Sequence, residues 1–403
     1  MPETGEMILL SDALKIVEER LVGITLPVEN IPVHQALGKT VVENQIARLD
    51  LPPFNKSAMD GYAVLASDER EEYRIIETVP AGSTPGKQLT PGTATKVMTG
   101  APVPQGTGKV IMLEQTCEKD GRIRVLSHSH TTNICCKGED LRRGDIIIHA
   151  PAVLGPLEIA NLVSAGITEV KVARRIQVSI ISTGDELADS PEQLAMGKIM
   201  NSNSPMLNAL CEKYGLQVIS NSMVPDKLNK TVSALAEGLN SADIVILSGG
   251  VSVGDFDFVT EAMKQAGLQL HFNRLAVKPG KPMTFASSER KIAFGLPGNP
   301  VAVYLMFHLF VLYAAKLMTG LKPKVRYVML PLARDFSCRQ AERMAFLPCQ
   351  LAQNGMLEPI EYHGTAHLRA LLDSDGFFIV PKGVNNLPAG EKVSYLSIKG
   401  NFE

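Results

Sequence analysis

The chain has 403 residues, enough for two to three domains on the usual scale of about 100 to 200 residues each. Lys plus Arg number 40 against 42 Asp plus Glu, so the net charge is -2 and no whole-protein field favours nucleic acid or an anionic membrane. With 8 Tyr, 13 Phe and no Trp the chain lacks the stacking platforms that hold single-stranded nucleic acid, and 45% hydrophobic with 20% charged residues describes an ordinary globular protein.

The opening MPETGEMILL has no basic segment before a long apolar stretch, so no secretory signal is expected. Leu10, Leu14, Val17 and Leu21 predict an amphipathic first helix, with Ser11 as N-cap and an end near Gly23. From 51 to 144 the chain turns to Pro, Gly and Thr clusters between β-type runs at 61–65, 96–99 and 109–113, which predicts an inserted β-rich domain. The segment 156–165 reads as helix, and with the first helix it is expected to form a small platform.

From 175 to 320 strand and helix alternate, which predicts a parallel sheet covered on both faces. Strands are expected at 176–182, 216–223, 243–248 and 291–295. Ser204 and Pro205 supply a cap and a first-turn proline for a helix over 205–214, and Asp226 caps the next one. A helix at 259–266 and a β-type stretch over 268–285 follow. The apolar run 301–318 follows a Pro-Gly-Asn-Pro turn and is broken by His308 and Lys316, so it reads as a buried helix and not a membrane span. Beyond Gly320, β-type runs at 325–331, 343–351 and 376–380 predict a small all-β C-terminal domain. The six cysteines show no CxxC and no framework spacing, which fits a reducing cytoplasm.

Three glycine-bearing loops follow predicted strand ends: Ser182-Thr183-Gly184-Asp185-Glu186, Ser248-Gly249-Gly250-Val251-Ser252-Val253-Gly254-Asp255 and Gly295-Leu296-Pro297-Gly298-Asn299-Pro300. Ligands of open α/β sheets bind beyond the carboxyl ends of strands, where glycines let backbone N–H groups approach an anion and hydroxyls add donors. Neither GxGxxG nor a P-loop is present. Lys278-Pro279-Gly280-Lys281-Pro282 holds two ammonium groups on a proline-stiffened turn, suited to a phosphate or a tetrahedral oxyanion. Asp185, Glu186, Asp255 and Asp257 are candidate Mg²⁺ ligands, with helix capping as the alternative role, above all for Asp257. His128, His130, Cys135 and Cys136 are a candidate metal cluster whose adjacent cysteines chelate one tetrahedral zinc poorly.

These motifs resemble those of the molybdopterin molybdenumtransferase family, which includes MoeA and the E domain of gephyrin. The resembling stretches are PPFNKSAMDGYAV from Pro52, MTGAPVP from Met98, GED from Gly138, STGDEL from Ser182, SGGVSVGDFD from Ser248, KPGKP from Lys278 and GLPGNP from Gly295, in the family's order over nearly the whole chain. The resemblance implies a multidomain α/β protein: a helical platform (1–46 with 147–172), a β-rich inserted domain (47–146), a molybdopterin-binding parallel-sheet domain (173–322) and a C-terminal β-barrel-like domain (323–403). It implies a cytoplasmic homodimer with shared active sites. The implied reaction is insertion of molybdate into adenylyl-molybdopterin with release of AMP, assisted by Mg²⁺. Asp60, Glu186, Asp257, Lys278 and Lys281 are then the catalytic set, with Asp60, Glu186 and Asp257 at the metal. Thr99, Asp140, Ser182, Thr183, Gly184, Asp185, Asn203, Ser248, Gly249, Gly250, Ser252, Gly254, Pro297, Gly298 and Pro300 are the implied ligand contacts. Implied partners are a molybdopterin adenylyltransferase and apo-molybdoenzymes or their chaperones, with neither nucleic acid nor membrane. The chain departs from the family pattern at Asn55, Lys56, Cys135, Cys136, Asn201 and Lys227, and at His363 to His367. These departures leave a catalytically impaired pterin-binding or scaffold protein as the alternative.

Overall fold

The computed structural model describes residues 7–194, 196–250, 258–337, 342–364 and 366–399. They fall into two compact units: the chain up to Val28 together with Ala173 onward, and Glu29–Val172 between them.

The first unit is organised by a six-stranded sheet in the order Gln217–Val224, Gln177–Thr183, Ile244–Ser248, Ile292–Leu296, Pro282–Ser287, Gln269–Arg274. Its first four strands are parallel and the last two pairings are antiparallel, with Pro282–Ser287 running against the other five strands, so the sheet is mixed where the pattern predicts a parallel one. Pro282–Ser287 follows its neighbour in space through a direct hairpin to Ile292–Leu296, a connection only antiparallel strands can make. The side-chain period of two splits each central strand between two cores. Val178, Ile180, Ile244, Ile246, Ile292 and Phe294 face one core, while Ile181, Val245, Leu247 and Ala293 face the other with helices Leu228–Ser241 and Phe258–Gln265.

The apolar run from Pro300 to Met318 lies in the first of these cores, with Phe307 and Phe310 fully buried. Burying each such side chain stabilises the fold by roughly 1.5–3 kcal/mol. Its middle turn, Phe307–Val311, is a π-helical insertion between helices Pro300–Met306 and Leu312–Met318. Helix Leu10–Leu21 also belongs to this core through Leu10, Ala13, Val17 and Leu21. Pro156–Ser164, expected to form a platform with it, buries Leu162 with Val33, Val41 and Val172 in the other unit. A second six-stranded sheet belongs to the first unit, in the order Val277–Lys278, Met344–Leu351, Gly376–Val380, Lys392–Ser397, Val328–Pro331, with Leu357–Pro359 also paired to Met344–Leu351.

Three predicted caps are placed differently. Leu9, not Ser11, is the N-cap of the first helix, and Ser11 lies inside it. The next helix starts at Asn203 with Ser202 at its cap, which frees the Ser204 hydroxyl to donate to Asn221 Oδ1 at 2.7 Å. Lys227 occupies the cap before Leu228–Ser241, because the Asp226 carboxylate is engaged by Thr183.

The second unit holds a six-stranded sheet in the order Thr107–Met112, Gly61–Leu65, Thr93–Val97, Glu72–Val79, Arg122–Val125, Thr116–Lys119. Tyr62 and Val64 pack on one face and Ala63 on the other. Gly61 is required by a close approach: a Cβ there would stand 2.2 Å from the Ile111 carbonyl oxygen.

Candidate functional site

Parallel pairing sets the first part of the site. Ser182 lies beside Ser248 and Ser248 beside Leu296, so the three glycine loops leave the sheet at one edge. Their backbones then close on one another. Gly249, at φ +89°, approaches so closely that a Cβ on it would lie 2.1 Å from the Thr183 carbonyl oxygen, while Gly298 stands 3.9 Å from Gly249 Cα by the same measure. Asn203, at the first position of its helix, ties two of the loops together: its Nδ2 donates to Ser248 Oγ at 2.8 Å and to the Gly298 carbonyl at 2.7 Å.

The site also contains polar atoms without partners. Ser182 Oγ and Asn203 Oδ1 are buried, and neither meets a hydrogen-bond partner among the described residues. Each such atom costs about 1–3 kcal/mol while unsatisfied, a penalty that a bound ligand's polar groups remove. The Thr183 hydroxyl donates to Asp226, whose N–H donates in turn to Asp185 Oδ1 at 3.2 Å, and Lys198 Nζ donates to the Asp185 carbonyl. Asp226 is the residue that reading it as a helix cap concealed. Glu186 is exposed, and its carboxylate lies across the bare Cα of Gly184, with Oε2 at 2.5 Å from where a Cβ would be.

Lys278 and Lys281 bracket a turn seated on the helix that leaves the third loop. Gly280, at φ +121°, packs against Met306; a Cβ there would meet Met306 Cε at 2.7 Å. The main chain around Lys278 is held from the C-terminal sheet, where Val277–Lys278 pairs with Met344 and Ala345 and Arg343 Nη1 donates to the Val277 carbonyl at 3.1 Å. Arg343 is thus a positioning element that only the three-dimensional pairing reveals. Pro297 is buried and Pro300 opens the helix at its first position. Ser252, Gly254, Asp255 and Asp257 lie outside the described residues.

In the second unit, antiparallel register pairs Gly61 with Val97, which brings Asp60 beside the Met98–Thr99 turn. The Thr99 N–H and Oγ1 donate to Asp60 Oδ1 at 2.6 and 2.8 Å. These two bonds, the backbone one first, hold the Asp60 carboxyl below its ordinary value of 3.8. Ile134–Cys135 pairs with Lys56–Ser57, and the Asp140 N–H donates to the Leu51 carbonyl at 3.0 Å. The three motifs of this unit therefore converge, with Asp140 exposed beside them. His128, His130, Cys135 and Cys136 are not gathered: among the described residues no group of three or more His, Cys, Asp or Glu is close enough to hold a metal.

An α/β sheet whose strand-end loops offer glycine backbone, hydroxyls and flanking lysines defines a protein that binds an anionic small molecule at its sheet edge. Comparison with known proteins narrows the class. Residues 8–166 match the MoeA N-terminal region (domain I and II), 179–317 the "Probable molybdopterin binding domain" and 330–398 the MoeA C-terminal region (domain IV). The molybdopterin molybdenumtransferase of Staphylococcus epidermidis is 34% identical over 385 residues, covering 92% of this chain and 91% of that protein. That of Staphylococcus aureus is 34% identical over 383 residues with the same coverage. A crystal structure of the molybdopterin biosynthesis moeA protein from Pyrococcus horikoshii superposes with a TM-score of 0.84 at 31% identity, covering 98% of this chain and all of that one. The chain belongs to the molybdopterin molybdenumtransferase family, the metal-inserting transferases of molybdenum cofactor biosynthesis.

Proposed function

We propose that the chain inserts molybdate into adenylyl-molybdopterin and releases AMP. The observation that carries this reading is the closure of three glycine loops around the buried Ser182 hydroxyl and Asn203 carbonyl oxygen, neither of which has a partner among the described residues. In it, the N–H groups and hydroxyls of 182–184 and 248–250 bind the pterin and its pyrophosphate, together with Asp185, Asn203 and the 297–300 loop. Lys278 and Lys281 stabilise negative charge on molybdate and on the phosphate released as AMP. Full-length relatives that carry the enzyme's name favour catalysis over a scaffold role.

The residues fit a Mg²⁺ ion. Glu186 and Asp185 are hard oxygen donors on the phosphate loop, and Mg²⁺ is commonly held by one or two carboxylates plus substrate phosphates. Glu186 with Asp257 would hold it, joined by an Asp60 supplied by a second subunit of a homodimer, with Thr99 and Asp140 beside that Asp60. A bound Mg²⁺ supplies charge neutralisation at the phosphate oxygens. The Thr99 bonds keep Asp60 ionised for that role. In this reading 47–146, 173–322 and 323–403 are separate domains of a cytoplasmic enzyme that receives its substrate from an adenylyltransferase and passes product to apo-molybdoenzymes or their chaperones.

The test is AMP release from adenylyl-molybdopterin with Mg²⁺, with and without molybdate. Oxyanion-dependent AMP formation by the native chain, abolished by Lys278→Ala with the thermal transition unchanged, is the expected result. Pterin binding with no AMP, or full turnover by Lys278→Ala, overturns the mechanism.

A further inference from the structure

A second cavity, of about 670 Å³, lies in the first unit and has no part in the reading above. Its cationic lining is Lys213, Lys316, Lys322, Lys324, Arg326 and Lys399, and among the described residues no Asp or Glu lines it. None of the six forms an ion pair among the described residues. Lys213 Nζ lies 5.1 Å over the Tyr214 ring, and Lys399 Nζ donates to the Leu372 carbonyl.

These charges come from separate segments: the ends of helices Asn203–Lys213 and Leu312–Met318, the 322–326 connector, and the residue two past strand Lys392–Ser397. In a chain of net charge -2 the fold has gathered them with no neutralising carboxylate among the described residues. Like charges gathered at one cavity repel, and a bound polyanion offsets that repulsion.

The cavity wall adds a half-buried, neutral histidine at the π-helical turn, a feature common at functional sites. His308 Nδ1 lies 2.8 Å from the Tyr304 carbonyl, which can only accept, so the ring proton is on Nδ1. Nε2 therefore accepts from the Tyr214 hydroxyl at 3.1 Å. Burial, with Lys213 and Lys316 nearby, pushes His308 down to about 4, and it adds no seventh charge. Leu309, Leu312, Val325, Leu396 and Ile398 supply apolar wall. The volume falls in the range of about 300–1,000 Å³ typical of small-molecule sites, more than one phosphate fills. Lys316 lies sixteen residues along the helical run from Pro300, about 24 Å at 1.5 Å per residue, so this cavity is apart from the glycine loops.

We propose that this cavity is a second anion site, which takes a ligand carrying two or more linked phosphates. Five ammonium groups and one guanidinium opposite an apolar wall match such a chain better than a single planar carboxylate. The test titrates inorganic pyrophosphate, ATP and adenosine into the full chain, into Lys322→Ala/Lys324→Ala, into Lys316→Gln and into Lys278→Ala, with circular dichroism confirming each fold. Pyrophosphate and ATP are expected to keep a binding event in Lys278→Ala. That event should weaken about tenfold or more in the double variant and measurably in Lys316→Gln, since bonds to charged groups contribute about 1.5–3 kcal/mol. Adenosine should not bind there. ATP binding tighter than pyrophosphate identifies a nucleotide as the source of the phosphates, and equal affinity identifies free polyphosphate; either supports the site. Phosphate binding that disappears in Lys278→Ala but survives in the double variant overturns the proposal. So does adenosine binding as tightly as ATP, or no binding to the native chain beyond one Lys278-dependent event.

Discussion

Two glycines in the loop cluster make opposite demands, and a pair of alanine substitutions separates them. Gly249→Ala puts a Cβ 2.1 Å from the Thr183 carbonyl oxygen at a backbone φ of +89°. Real Cβ contacts stay beyond about 3.0 Å, so Thr183 and the second loop must part by roughly 0.9 Å, and the left-handed backbone adds about 1–2 kcal/mol. Strain from forcing a methyl group into a packed site is typically about 1–3 kcal/mol. The sum, about 2–5 kcal/mol, corresponds to a fall of roughly 4–20 °C in the melting temperature at about 2–4 °C per kcal/mol for a unit of this size. Gly298→Ala has no such cost: its nearest neighbour is Gly249 Cα at 3.9 Å and its φ is unremarkable, so the melting temperature should hold within a degree or two. The exposed methyl group at 298 would instead occupy the space a ligand uses. Scanning calorimetry and AMP release on both variants give a two-by-two readout. Gly249→Ala should lose stability and activity together, while Gly298→Ala loses activity alone. A Gly249→Ala protein as stable as the native one refutes the close-approach argument. An unimpaired Gly298→Ala refutes the placement of ligand against the third loop.

Further predictions concern the polar frame. Asn203→Ala removes two donated bonds and one buried oxygen that has no partner among the described residues, so stability should fall by about 1–2 kcal/mol by urea unfolding while AMP release falls more steeply; unchanged turnover would remove Asn203 from the site. Thr99→Val deletes the hydroxyl bond to Asp60 and keeps the stronger backbone one, so the Asp60 carboxyl should titrate higher in a carbon-detected NMR titration yet remain below its ordinary value. The sign follows from the lowered folded-state value. The stabilisation from Asp60 is present above the unfolded-state value of about 3.9 and is lost as pH falls through the folded one, and the variant should lose it at a higher pH. No difference between the two titrations would show that the Oγ1 contact carries no weight.

What could be read from the residues and what could not divides along physical lines. Strand interiors and the glycines at their ends are legible, because a run such as Ile244 to Leu247, buried on both faces, has few alternatives, and a glycine after it marks where the backbone turns. The caps were not. Ser204 and Asp226 each carry a side chain equally suited to an N-cap and to a tertiary hydrogen bond, and the choice was made by residues distant in sequence, Asn221 for Ser204 and Thr183 for Asp226. The same limit explains the antiparallel pair in the sheet and the seat of the first helix, since amphipathicity identifies a buried face and not its partner. It also explains Arg343, whose contribution is a bond to a carbonyl 66 positions away. Site residues that contact ligand directly advertise themselves by type and spacing; those that hold them act through pairings that exist only after folding. The π-helical turn at His308 follows the same logic from the other direction. Nothing in Phe307 to Val311 distinguishes it from ordinary apolar helix, yet the inserted residue puts a neutral imidazole at the wall of the basic cavity. Lengthening or shortening that turn by one residue should therefore disturb phosphate binding there, while the glycine loops, whose closure depends on Asn203 and the parallel strands, keep their geometry.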